Sequence, residues 1–283
     1  MLKKLKLIFD FYINTSFHVA FAMACFIKIT QVYFEINNQN SIICFSFFGT
    51  IFGYNFIKYS DFILENKKIN FPIKLILALS IFCFGAASFF FFFIEKLAKF
   101  AALFFTICVF FYTFSCSKKY QNIRNWSGFK IYFVCFCWTS ISVLLPLLNY
   151  KVILPLHFWM YFSQRFLVIF TLILLFEIGD LKKDLSNLKT IPQLIGVKKT
   201  KILGCLLLLV YLSLSFFKIK NNFNNDFNFQ SFKLPLDYTI NIVIALVITI
   251  FLYHSSQNRS KYFTLFWVES IPIVWLFLLL IFG

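Results

Sequence analysis

Long unbroken apolar runs dominate the chain, separated by short polar segments. A helix needs about 18–25 mostly apolar residues to cross ~30 Å of hydrocarbon. Nine runs of roughly that kind are predicted as membrane-spanning helices, at 11–33, 41–57, 73–94, 98–115, 131–148, 152–178, 202–217, 238–254 and 264–282. The run at 41–57 is short and carries Gly49 and Gly53. The runs are continuous rather than alternating, which excludes a transmembrane β-barrel. Lys28 interrupts the first run and no small-residue cleavage site follows it, so this stretch is not read as a removable signal. The predicted fold is therefore all-α: one domain over 1–283, a polytopic bundle of about nine transmembrane helices.

The basic residues fix the orientation. The N-terminus and the segments after the second, fourth, sixth and eighth runs hold 19 Lys and Arg, counting Lys74 at the edge of the third run, against 6 in the alternate set, counting Lys99 at the edge of the fourth. Such a bias marks the side that stays in the cytoplasm. It places the N-terminal Lys3-Lys4-Leu5-Lys6 in the cytoplasm and the C-terminus outside, as in a bacterial cytoplasmic membrane or its equivalent. Composition agrees: 60% of residues are hydrophobic and 13% charged, with mean hydropathy +0.81. A net charge of +16 would suggest nucleic acid in a soluble protein, but such binding needs a water-exposed basic face that this chain lacks. No nucleic-acid partner is expected; membrane lipids are. The 45 Phe, including the run Phe89 to Phe93, read as lipid-facing bulk, and the 8 Cys show no metal-ligand spacing.

Ionisable residues within or at the ends of spans carry the functional information. The densest group ends the sixth run: Glu177, Asp180 and Asp184, followed by Lys189 and Thr190. On a continuing helix, Asp180 and Asp184 share a face. Three clustered acids repel unless a cation lies between them. Mg²⁺ takes one or two carboxylates and completes its shell with water and phosphate oxygens. Lys118, Lys119 and Arg124, in the segment after the fourth run, supply positive charge for such an anion, Arg124 with a bidentate guanidinium. Deeper in the sixth span, Arg165 lies 12 residues before Glu177, about 18 Å along a helix. Glu269 in the ninth is its candidate partner, the two lining a polar cavity or forming a structural pair. His18 lines a cavity or, more commonly for such a residue, is a satisfied core histidine.

These residues give the chain a resemblance to the UbiA-type intramembrane prenyltransferases. Asp180-x-x-x-Asp184, Lys189-Thr190-Ile191-Pro192 and Gly196 are similar, in order, to that family's second acidic motif. The family's first motif, N-D-x-x-D-x-x-x-D at the end of the second helix, is matched only at Asn55. Phe56, Tyr59 and Ile63 stand in its acidic places, with Asp61 and Glu65 nearby at other offsets. The resemblance implies a Mg²⁺-dependent transferase moving an isoprenoid chain from a polyprenyl diphosphate to a small hydrophobic or aromatic acceptor such as a quinone precursor. It implies Asp180 and Asp184 as catalytic residues, Mg²⁺ on Asp180, Asp184 and Glu177, and diphosphate contacts from Asn55, Lys118, Lys119, Arg124 and Lys189, in a site facing the cytoplasm. The missing first motif leaves an alternative open: a non-catalytic homologue keeping the scaffold and at most a lipid-phosphate site.

Overall fold

The computed structural model describes residues 2–36, 40–64, 70–113, 128–151, 158–184, 188–222 and 236–282, with side chains described except at 2–3, 60–64 and 218–222. Every regular element among them is helical. The helices are α1 (Leu2–Asn14), α2 (Phe17–Tyr33), α3 (Asn40–Leu64), α4 (Phe71–Phe91), α5 (Lys96–Thr113), α6 (Lys130–Thr139), α7 (Leu145–Asn149), α8 (Phe158–Asp180), α9 (Ile191–Asn222), α10 (Leu236–His254) and α11 (Ile271–Phe282). A π turn at Ser140–Leu144 joins α6 to α7 as one span, Lys130–Asn149. Another at Phe263–Val268 leads into α11. Eight described segments are long and apolar enough to cross a membrane, and the bent pair α1–α2 makes nine. An integral, multi-pass membrane protein follows.

The first span departs from the expected 11–33. The chain bends by 53° between α1 and α2. Ser16 adopts a left-handed backbone with φ 63°, and Thr15 turns its hydroxyl back onto the Phe11 and Tyr12 carbonyls at 2.8 and 3.1 Å. The far end of α3 braces the bend: Lys58 Nζ donates to Ser16 Oγ at 3.0 Å and Tyr59 to the Asn14 carbonyl at 3.3 Å. The second span also runs longer than expected, so Lys58 belongs to a helix rather than to a loop.

Two helices organise the interior. Side chains of α2 reach three separate apolar clusters: Phe26 and Ile29 meet Val168 and Trp275, Met23 and Ile27 meet Ile42 and Ala98, and Ala20 meets Ile51 and Cys83. In α8, 61% of the span is buried, against 22% in α4. The outer helices turn their bulk to lipid; Phe82, Phe89, Phe92 and Phe93 are all exposed. The seven described cysteines are free thiols.

Proline explains one of the π turns. Pro146 has no N–H, so the Ser142 carbonyl one turn back loses its helical donor. Thr30 on α2 supplies the replacement, its hydroxyl donating to that carbonyl at 2.7 Å. Where α9 packs on α10, Gly204 allows the close approach: a Cβ there would stand 2.9 Å from Leu252 Cδ1.

Candidate functional site

The last turn of α8 continues past its end. The Asp180 carbonyl accepts from the Lys183 and Asp184 amides at 2.7 and 3.0 Å, which keeps Asp180 and Asp184 one helical turn apart. Gly179 lets this turn approach the Phe263–Val268 segment, since a Cβ would come 3.3 Å from Thr264 Cγ2. Asp180 is half-exposed, and its Oδ1 accepts from Lys183 Nζ at 2.8 Å.

Glu177 does different work from that expected of it. It is buried, and its Oε2 accepts from the Ile191 amide at 3.2 Å, at the first residue of α9. A carboxylate there compensates both a free N–H and the positive end of the helix dipole. The Thr190 amide donates to Gln193 Oε1 at 2.9 Å, one half of a capping box. Among the described residues no three acidic, His or Cys side chains come together as a metal cage. Glu177 thus faces inward and holds α8 to α9 while staying within electrostatic reach of Asp184. A feature the sequence did not single out is Lys130, at the start of α6, within electrostatic reach of Glu177.

Lys189 is exposed, with a left-handed backbone (φ 47°), beside the Gly128 amide that donates to the Leu188 carbonyl at 3.1 Å. Gly196, with φ 80° and ψ 157°, breaks α9 one turn after it starts. The five residues before it therefore belong with the acidic turn rather than with the span that follows. Lys118, Lys119 and Arg124 lie outside the described residues.

Asn55 lies between α3 and α4, with its Oδ1 left without a hydrogen-bond partner. It is fully buried, and its Nδ2 donates to Ser80 Oγ at 3.0 Å. The face of α3 that carries polar chemistry is instead that of Tyr54 and Lys58, four residues apart. Tyr54 accepts from Trp138 Nε1 at 3.1 Å. Lys58 is electrostatically coupled to Glu269, which is also felt by Tyr12 and Tyr54. His18 completes this group: its Nδ1 pairs with the Tyr12 hydroxyl at 2.9 Å and its Nε2 with the Phe266 carbonyl at 3.0 Å. A carbonyl only accepts, so Nε2 carries the proton. This is a satisfied core histidine, as expected. The backbone of Asp61 continues α3; its side chain lies outside the described part.

The expected Arg165–Glu269 pair does not form. Arg165 Nη1 donates to the Phe26 carbonyl at 3.1 Å, and the guanidinium lies over the rings of Phe26 and Trp275 at 4.5 and 5.2 Å. The physical reason is depth. Arg165 is 15 residues back from Asp180, about 22 Å along the helix, whereas Glu269 lies just past the Phe263–Val268 turn that packs on the acidic end. Lys58 takes the place of Arg165 beside Glu269.

Outside the spans, Lys261 and Tyr262 both donate to Asp10 Oδ1, at 2.8 and 2.7 Å. The carboxylate's hydrogen bond holds the Lys261 ammonium above its ordinary pKa. These contacts pin α1 to the start of the last span.

No protein-family sequence model and no curated protein matches the chain. Its fold, however, is found in solved structures. A UbiA homolog from Aeropyrum pernix K1, in its apo form, superposes with TM-score 0.65 over 93% of this chain and 97% of that one, at 13% identity. A UbiA homolog from Archaeoglobus fulgidus bound to GPP and Mg²⁺ gives 0.61 over 95% and 97%, at 10% identity. A digeranylgeranylglyceryl phosphate synthase gives 0.55 over 99% and 96%, at 13% identity. The chain has the UbiA-type fold along almost its whole length.

Proposed function

We propose that this protein, built on the UbiA-type fold, is an intramembrane prenyltransferase that binds a prenyl diphosphate at the Asp180 end of the bundle and transfers its isoprenoid chain to a small hydrophobic or aromatic acceptor. The observation that carries the reading is the Asp180–Asp184 turn, closing a heavily buried span of a bundle that follows a GPP- and Mg²⁺-bound homolog over 95% of its length. The excess of basic residues on that side supports a cytoplasmic site.

Two carboxylates one turn apart suit Mg²⁺, which leaves the rest of its shell to water and phosphate. When bound, the ion would neutralise the diphosphate and stabilise it as a leaving group. Asp180 would release Lys183 to hold it, and the freed ammonium, with Lys189 beside the turn, would face the same anion. Lys118, Lys119 and Arg124 are the further cations proposed for it. Breaking the C–O bond releases pyrophosphate and leaves the allylic carbon electron-poor. The acceptor supplies the new bond and loses a proton, while the apolar interior keeps water from competing.

Asp180→Ala and Asp184→Ala are expected each to abolish Mg²⁺-dependent transfer from a prenyl diphosphate. Undiminished transfer in both would overturn the reading. A second reading, a non-catalytic homologue, is favoured by one observation: the helix where a first acidic motif would stand carries Lys58, and its Asn55 donates to Ser80. Diphosphate binding without pyrophosphate release, across a panel of acceptors, would establish that alternative.

A further inference from the structure

Near the end of the bundle away from Asp180, Arg165 faces a cavity of ≈ 20 Å³ whose wall includes Tyr33, Gln164, Tyr211, Asn241 and Trp275. Arg165, Tyr211 and Trp275 are each at least nine-tenths buried, at 4%, 1% and 3% exposure. The guanidinium is permanently charged and carries five N–H donors. One goes to the Phe26 carbonyl. No ion pair reaches Arg165 among the described residues. Asp237 acts on Tyr33 and Tyr161, whereas the groups felt by the guanidinium are the Tyr33 and Tyr211 hydroxyls.

The rest of the wall adds further donors. The Tyr211 hydroxyl makes no hydrogen bond within the protein, and Trp275 Nε1 points to the Tyr33 hydroxyl. Two of the acceptors nearby are taken. Tyr33 donates to Asn241 Oδ1 at 3.2 Å, while Gln164 and Asn241 both donate to Ser215 Oγ, at 3.0 and 3.3 Å. A buried net positive charge without a counter-ion among the described residues, beside the free Tyr211 hydroxyl, calls for a negatively charged acceptor. Water accepts but brings its own protons and no charge. The volume exceeds the ~10–15 Å³ that a single water requires and suits a monatomic ion.

We propose that this cavity is a binding site for a monatomic anion, chloride under ordinary conditions, which neutralises Arg165 and ties α2, α8, α9, α10 and α11 together. The site is separate from the acidic turn, about 22 Å away along α8, and does not depend on the enzymatic reading.

The test uses the full chain purified in detergent. Its thermal midpoint is followed while sodium gluconate is exchanged for sodium chloride or bromide at constant ionic strength. A saturating rise with halide is expected. Arg165→Gln should abolish the halide dependence. Tyr211→Phe, which removes one hydroxyl and preserves shape, should require roughly tenfold more halide for the same rise. Crystals grown in bromide should show an anomalous peak in the cavity. Equal midpoints in gluconate and halide, a Tyr211→Phe response identical to that of the native chain, or a cavity without bromide would each overturn the proposal.

Discussion

Thr30 and Ser142, 112 positions apart in sequence, share a 2.7 Å hydrogen bond that repairs the backbone where Pro146 interrupts it. In hydrocarbon there is no water to take over that carbonyl. Thr30→Val keeps the shape and removes the donor, leaving a buried acceptor unsatisfied. The expected loss is about 1–3 kcal/mol, read from reversible unfolding in detergent. Thr30→Ser should restore most of it; equal stability of the Val and Ser variants would mean that the carbonyl finds another donor.

Glu177 separates two roles that the acidic cluster had seemed to combine. Glu177→Gln keeps an oxygen for the Ile191 amide, so folding and Mg²⁺-dependent activity should both survive. Glu177→Ala removes the cap and should cost about 0.5–2 kcal/mol. If Glu177→Gln instead raised the Mg²⁺ requirement by an order of magnitude while folding normally, Glu177 would be a metal ligand after all.

Asn55→Ala should lower the thermal midpoint without changing KM for a prenyl diphosphate, because its Nδ2 donates to Ser80 between α3 and α4. A neutral-to-neutral hydrogen bond of this kind is worth about 1 kcal/mol. A KM effect at unchanged stability would return Asn55 to the substrate site.

The Asp10–Lys261 contact gives a pH dependence of definite sign. Its folded-state lysine pKa is raised, so the contribution is complete below the ordinary value of about 10.4 and is lost as pH climbs through the raised one. Protease cleavage within α1 should therefore accelerate in strongly alkaline buffer. In Asp10→Asn, cleavage should be faster at neutral pH and gain no further alkaline step from this pair.

The spans were legible because an apolar run of membrane length has few alternatives, and the Asp180–Asp184 pair because the helix carries its spacing through the turn. The break at Ser16 was not. Neither Pro nor Gly marks it, and what braces it, Lys58 and Tyr59, comes from more than 40 residues away. Arg165 and Glu269 looked like partners because both are ionisable and within spans. Only the packing of the Phe263–Val268 turn against the acidic end of α8 reveals that they lie at different depths. Asn55 was assigned by alignment to a motif, which says nothing about the helix face that α4 covers.

The bend between α1 and α2 also decides an arithmetic question. With 13 residues, α1 reaches about 20 Å, too little to traverse ~30 Å of hydrocarbon by itself. It is therefore not a further crossing. Counted as one bent span, the pair brings the described crossings to nine, an odd number that would put α1 and the tail of α11 in different compartments. A membrane-impermeant thiol reagent should accordingly label single cysteines placed at those two ends from opposite sides of a sealed vesicle.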